Sequence, residues 1–352
     1  RKLKSQKSQL SLCQFESWEQ EYTENETKKI KKRTVGRPVI PKSSPLFQDF
    51  KTWQNINNTV FTNDEAKTEL ELKRLDQETR QVLFEELNLR GDLSAREVLK
   101  VISSYVELGK ISQWRCNFEK IEGNDTNMKL YNVFQVISQH QGYGIDWKKL
   151  SASAIKGELK TTFPDLGIDQ AVLDFNAHVD LQQQASYQLW HLLYAAEEDF
   201  KVTKEDRLLY GNSNVSLKKK LLDKFGFEPQ YGSLLANISL IRDYGNLSTK
   251  AIKNILPYLE EGHIYSEACK LAGYNHSNSL DKDAMDNRVL KPKLEILKKN
   301  SLRNPVVEKI LNQLVNVVNQ IIETYGKPDE IRIELARELK KSAKERAEMT
   351  KS

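Results

Sequence analysis

Apolar residues recur every three or four positions along most of this chain, the spacing of amphipathic helices. From residue 45 to about 290 that pattern predicts a mainly helical region. "DEAKTELELKRLDQETRQVLFEEL", starting at Asp64, places apolar side chains at helical intervals among charged ones. "SAREVLKVI" opens on Ser94 with Glu97 three residues later, the signature of a capping box. "ASYQLWHLLYAAEEDF" reads as a buried helix, and "LSTKAIKNILPYLEEG" as one starting at Ser248 or Thr249 and ending near Gly262. "ISQWRCNFEKIEGNDTNMKLYNVF" alternates instead and carries a polar turn, which predicts a small hairpin inside the helical region. No fixed-period repeat is present.

The two ends differ from this middle. Within "KKIKKRTVGRPVIPKSSP", Pro38, Pro41 and Pro45 oppose helix, so residues 1–45 are expected to form an irregular basic segment. Flanking apolar residues, Phe15 before it and Leu46, Phe50 and Trp53 after it, pin that segment. Near the other end Asn304 is a cap and Pro305 a first helical residue. Val307, Leu311, Leu314, Val318, Ile321 and Tyr325 then form one stripe, which Gly326 and Pro328 end. A strand follows over 331–335, with Ile331, Ile333 and Leu335 on one face and Arg332 and Glu334 on the other. From Ala336 a basic helix carries Arg337, Lys340, Lys341, Lys344 and Arg346.

Composition narrows the class. The 352 residues suffice for two or three domains, with 39% hydrophobic and 29% charged residues. No run of about 18 apolar residues exists, so no transmembrane helix is expected. The opening lacks an initiator Met and a signal-peptide core, and the end falls inside a helical pattern, so a segment of a longer protein is expected. Cys13, Cys116 and Cys269 lie far apart, and the five histidines show no metal-ligand spacing. Three thiols fit a reducing compartment, the cytoplasm. Net charge is +5, unevenly spread. Residues 1–42 hold 11 Lys/Arg against 5 Asp/Glu, and residues 287–352 hold 15 against 9, which leaves the middle at −7. Basic ends around an acidic middle fit a polyanion touched at defined places, as well as chance variation on solvated helices.

Two positions raise a question of chemistry. Glu334 is a carboxylate on a half-buried strand, costly unless paired or metal-bound. It either pairs with Arg332 or Arg337, or ligates a divalent cation such as Mg²⁺ with acids from elsewhere; spacing leaves both open. Arg115, between Trp114 and Cys116 and near Asn117 and Asn127, suits contact with a nucleic-acid backbone, or belongs to a hairpin packed on helices.

"RNPVVEKILNQLVNVVNQIIETYGKPDEIRIELARE" resembles the second RuvC motif, and the helix before it, of the type II CRISPR RNA-guided DNA endonucleases. "GNLSTKAIKNILPYLEEGHIYSEACKLAGY" is similar to the end of the recognition lobe in compact members. "SLCQFE" followed by "SSPLFQDFKTWQNINN" looks like the Cys-x-Phe-Glu and L-N-N segments there. The three occur in family order. The resemblance implies a mainly α fold: a helical recognition lobe over 1–290, then a linker and a helix-strand-helix piece of an RNase H-like RuvC domain over 291–352. It implies partners, guide RNA (crRNA and tracrRNA) and target DNA, held through A-form shape and backbone by a monomeric protein. Arg1, Lys2, Lys4, Arg37 and Lys42 become candidate phosphate contacts. Tyr244, Gly245 and Asn246 match the turn that approaches the heteroduplex in relatives. Tyr265 falls on the next helix, where Tyr departs from the family pattern, and Arg115 belongs to a weaker alignment. Glu334 matches the catalytic Glu that binds Mg²⁺ (or Mn²⁺) with two Asp and a His that are absent from this sequence. The HNH domain, bridge helix and PAM-reading domain are absent too, so activity is expected of the complete protein only. The other readings are a helical protein-interaction scaffold and another RNase H-like nuclease, such as a transposon-encoded relative.

Overall fold

The computed structural model describes residues 12–23, 30–140, 142, 146–196, 215–276, 292–297 and 305–328. Contacts divide the chain into two units, Arg1–Ser279 and Leu280–Ser352. The architecture is mainly α, with three small antiparallel sheets among the described residues.

The first unit opens with a hairpin, not the irregular segment expected over 1–45. Strand β1, Leu12–Thr23, pairs antiparallel with β2, Ile30–Pro38, in a register running from Thr23↔Ile30 to Ser17↔Gly36. Pro38 closes β2 and Pro41 lies beyond it, so the prolines border the ladder without interrupting it. Both strands are rich in charged and polar residues, and backbone pairing of that kind leaves no hydrophobic alternation to read.

Helix α1, Pro45–Asn58, starts where the Phe47 amide donates to Ser44 Oγ at 3.2 Å and Pro45 takes a first-turn position. It buries Leu46, Phe50, Trp53 and Ile56. The next stretch, expected to be helical from Asp64, is a turn and a strand before it is a helix. Strand β3, Val60–Asn63, pairs with β4, Thr68–Glu71. Asn63 Oδ1 accepts the Glu65 and Ala66 amides, each at 3.1 Å, and Lys67 takes a positive φ of 50°. That Asx turn competes locally with helix and wins. Helix α2, Gln77–Arg90, begins only after Asp76 accepts the Thr79 amide at 2.8 Å.

The small hairpin expected within 111–134 is absent. Strand β6, Trp114–Cys116, joins β3, while β7, Lys120–Ile121, pairs with β5, Leu93–Ser94. Each partner is a distant strand with an open edge. The expected polar turn is a helix start: Asn124 Oδ1 accepts the Asn127 amide at 2.8 Å and opens α4, Asp125–His140. Helix α3, Ala95–Ile102, carries the expected capping box of Ser94 and Glu97. The remaining helices of this unit are α5, Ala152–Asp165; α6, Ala185–Ala195; α7, Val215–Phe225; α8, Pro229–Ala236; α9, Thr249–Glu260; and α10, Tyr265–Leu271. Ser248 caps α9 as expected, accepting the Ala251 amide at 3.3 Å.

Two apolar cores result. The first gathers α1, α2, α3 and α9 around Leu46, Ile56, Leu83, Leu87, Val98 and Ile255. The second gathers α4 to α8 around Phe134, Ile155, Phe163, Leu189, Leu221 and Phe227. Each such side chain contributes about 1.5–3 kcal/mol when fully buried. Helix α2 joins the cores, giving Phe84 and Leu87 to the first and Leu89 to the second.

In the second unit α11, Pro305–Tyr325, ends at Gly326 with φ 87°, as expected. Residues 292–297 run along it. Asn312 Oδ1 accepts the Leu297 amide at 2.8 Å and Asn319 Oδ1 that of Leu294 at 2.8 Å, and each Nδ2 donates to the same residue's carbonyl. The two Asn lie seven residues apart, two turns on one face. The expected apolar stripe is largely exposed among the described residues, Leu314 at 53% and Ile321 at 49%. Asn304, the strand over 331–335 with Glu334, and the basic helix from Ala336 lie outside the described residues.

Candidate nucleic-acid interface

A groove of about 700 Å³ brings together five of the residues singled out in the sequence: Lys42, Tyr244, Gly245, Asn246 and Tyr265. More than 200 positions separate Lys42 from the others, and the backbone closes that distance. The Ile40 amide donates to the Leu247 carbonyl at 3.1 Å, the Gly245 amide to the Ile40 carbonyl at 2.9 Å, and the Lys42 amide to the Asp243 carbonyl at 2.8 Å. Residues 243–247 therefore run as a short antiparallel partner of the segment leaving β2. The Gln14 amide on β1 adds a bond to the Asn246 carbonyl at 3.4 Å. Gly245 is required by proximity: a Cβ there would lie 2.5 Å from Phe47 Cε2.

Helix α1 forms the floor with Phe47, Gln48, Phe50, Lys51 and Gln54, residues that the sequence reading missed. Lys51 and Gln54 are an i, i+3 pair, and Lys51 Nζ donates to Gln54 Oε1 at 3.4 Å. A basic and an amide side chain on the polar face of α1 were the available signal. Gln48 is buried and fixes the wall: its Nε2 donates to the Lys42 carbonyl at 2.6 Å, and its Oε1 accepts the Asp125 amide at 2.9 Å.

Charge in the groove is mixed. Asp92, Glu122 and Asp125 line it as well. Lys120 pairs with Asp92, and Lys129 Nζ sits 2.7 Å from Asp125 Oδ2. Lys42 Nζ lies 3.5 Å from Asp243 Oδ2, an exposed contact worth little and open to exchange for a phosphate oxygen. Tyr244 is 49% exposed, and its hydroxyl bonds Tyr194. Burial first, then that bond, push the Tyr194 phenol up to about 12. Tyr265 is half-buried, with its ring edge-on to Phe50 at 6.0 Å and to His276 at 5.0 Å. Burial foremost, and then contact with the Cys269 thiol, raise its phenol well above the ordinary range. It therefore offers the groove a neutral ring.

The other candidates fall elsewhere. Arg37 on β2 is half-exposed, with Nε 3.7 Å from Glu16 Oε2. Glu16 also accepts the Tyr274 hydroxyl at 2.7 Å and Lys250 Nζ at 3.1 Å, which ties the hairpin to α9 and to the chain after α10. Arg115 on β6 is 80% exposed, and its Nη1 lies 3.0 Å from Asp64 Oδ2; it does not line the groove. Arg1, Lys2, Lys4 and Glu334 lie outside the described residues. Among the described residues no group of three or more His, Cys, Asp and Glu side chains could hold a metal, and no helix is long and apolar enough to cross a membrane.

No protein-family model matches the chain. A stretch of 118 residues, 34% of the chain, is 33% identical to the CRISPR-associated endonuclease Cas9 of Campylobacter jejuni and covers 12% of that protein. The chain is similar to Cas9. The likeness to the type II CRISPR endonucleases, read first from three motifs, therefore stands. Among solved structures, Campylobacter jejuni Cas9 in complex with sgRNA and target DNA matches with a TM-score of 0.41 at 19% identity, over 84% of this chain and 29% of that one. The type II-C Cas9 enzyme from Actinomyces naeslundii matches with a TM-score of 0.35 at 14% identity, over 89% of this chain and 25% of that one. The chain spans less than a third of the length of the Cas9 proteins it matches.

Proposed function

We propose that this chain is part of a CRISPR RNA-guided DNA endonuclease. Residues 1–290 act as its recognition lobe, and residues 291–352 as a linker and the second segment of its RuvC nuclease domain. The observation that carries this reading is the 33% identity to Cas9 over 118 residues. The groove supports it, because residues predicted from a family motif line one surface with Lys42.

The chemistry asked of the groove is modest. Sequence is read by base pairing between guide and target, so the protein needs only to hold an A-form backbone. Lys42 and Lys51 supply charge for phosphate oxygens, and Gln54 and Asn246 supply amides for sugar hydroxyls. Tyr244 presents an exposed ring and hydroxyl at the rim. Partners are guide RNA and target DNA.

Glu334 contributes one carboxylate to a Mg²⁺ site completed by groups from other parts of the protein. Glu334 would hold the ion together with those other groups, and the ion would supply Lewis-acid activation of water for cleavage of the non-target strand. In the complete protein, Glu334→Ala is expected to abolish cutting of the non-target strand while leaving target binding intact. A variant that still cut both strands would show that Glu334 is no metal ligand.

A further inference from the structure

A buried polar network adjoins the groove. Asp49 follows Gln48 on α1, and its Oδ1 accepts Asn88 Nδ2 from α2 at 3.4 Å. Asn88 Oδ1 in turn accepts Asn124 Nδ2 at 2.5 Å and Asn127 Nδ2 at 2.8 Å, both from the start of α4. That first turn of α4 also reaches the groove. The Asp125 amide donates to Gln48 Oε1, and Gln48 Nε2 holds the Lys42 carbonyl. Thr126 Oγ1 donates to the Ser43 carbonyl at 2.8 Å. Asp49, Gln48, Asn124, Thr126 and Ser43 are all buried. Hydrogen bonds therefore link one carboxyl, through α2 and α4, to the backbone that carries Lys42.

The charges around Asp49 are already committed. Glu260 from α9 opposes its ionisation and Lys156 from α5 favours it. Glu260 bonds His178 at 2.9 Å, and Lys156 pairs with Asp174 at 2.8 Å. On the helices of the network, Asp125 pairs with Lys129, Glu86 with Arg90, and Lys51 bonds Gln54. Among the described residues no ion pair reaches Asp49, and burial pushes its carboxyl up to about 8.

We propose that Asp49 is a positioning residue for the groove: its neutral carboxyl keeps α1, α2 and α4 in the arrangement that places Lys42, and loss of its proton weakens binding of an RNA–DNA hybrid. This rests on the nucleic-acid reading proposed above. A buried carboxylate with a single long hydrogen bond is costly. Relief comes from drawing donors or water into the junction. The donors at hand are the side-chain amides of Asn88, Asn124 and Asn127, which fix the first turn of α4. Recruiting them to a carboxylate shifts that turn. Gln48 and Ser43, bonded to it, shift as well, and Lys42 leaves the place from which it meets a phosphate. A neutral acid asks for none of this. Hybrid binding should therefore take up a proton wherever the unbound chain has lost one.

The test is a fluorescence-anisotropy titration of an RNA–DNA hybrid against the full chain at fixed low salt, from pH 6.5 to pH 9. The chains are the unaltered one, Asp49→Asn and Lys42→Ala. Between pH 7 and pH 9 the protonated fraction of Asp49 falls from about nine-tenths to about one-tenth, so the unaltered chain should bind about tenfold more weakly at pH 9. Asp49→Asn, uncharged at every pH, should hold its pH 7 affinity throughout. Lys42→Ala should bind more weakly at pH 7 and show a smaller ratio between the two pH values. Calorimetry in buffers of different ionisation enthalpy needs no variant and should show uptake of nearly one proton per hybrid at pH 9. A pH-independent unaltered chain that takes up no proton would overturn the proposal and leave the groove standing. So would the same tenfold loss in Asp49→Asn, or an undiminished ratio in Lys42→Ala. Failure of the unaltered chain to bind any hybrid at pH 7 would overturn this proposal and the groove together.

Discussion

Asp49 is a carboxyl in an unusual place. It sits buried on α1 between two groove-floor residues, Gln48 and Phe50, and Asn88 Nδ2 donates to it at 3.4 Å. Burial pushes it up to about 8, so at neutral pH it is a neutral acid. The unfolded chain ionises it near pH 4. Between those values the folded state binds one more proton than the unfolded state, so stability falls as pH rises from about 4 to about 8. Asp49→Asn should flatten that part of the curve and raise the melting temperature at pH 7.5, by about 2–4 °C for each kcal/mol recovered. Differential scanning calorimetry at pH 5 and pH 7.5 checks it; a variant destabilised equally at both would refute the assignment. Gly245 makes a complementary prediction. Gly245→Ala drives a methyl into Phe47 and should cost about 1–3 kcal/mol in urea unfolding, with Phe47→Leu restoring part of the loss. Neither residue carries a sequence signal of its own. An acid beside an apolar residue on a helix looks like any solvated position, and the need for Gly245 arises from an aromatic ring almost 200 residues away.

Elements were legible where a local rule closes on itself. The Ser94–Glu97 box, the Ser248 cap and the glycine after α11 need only neighbours within four residues, and all three appear as expected. Strands failed because their partners are remote or polar. "TELE" alternates with charges on one face and fits β4 as well as a helix, and β6 and β7 pair with β3 and β5 instead of with each other. The polar β1–β2 hairpin was missed for the same reason, and Glu16 shows how it is secured. Tyr274 foremost, then Lys250 and Arg37, hold the Glu16 carboxyl below its usual range. A depressed carboxyl stabilises the fold above its unfolded value and loses that contribution as pH falls through the folded one. Protection of the β1 amides, measured against their intrinsic exchange rates, should therefore fall in acid. Tyr274→Phe should lower it already at pH 7 and weaken its dependence on pH. Protection in β1 that ignored both changes would show that Glu16 is not the tether.

At the scale of the whole molecule, the groove depends on contacts that join the beginning of the first unit to its end. Family motifs placed Tyr244 to Asn246 and Lys42 as candidates, and three backbone bonds between 40–42 and 243–247 bring them together. Lys51 and Gln54 of the floor lie inside a quoted motif without having been singled out, and the acids Asp92, Glu122 and Asp125 lie outside all three. Those acids predict strong discrimination by salt, because a groove of mixed sign holds a polyanion only where local cations outweigh them. The most direct measurement is a filter-binding titration of an RNA–DNA hybrid with the full chain at rising salt, beside Lys42→Glu and Lys51→Glu. We predict tight binding at low salt, little dependence on base sequence, a steep loss as salt rises, and markedly weaker binding by both variants. No binding of the hybrid at low salt, or binding that neither variant disturbs, would contradict the account.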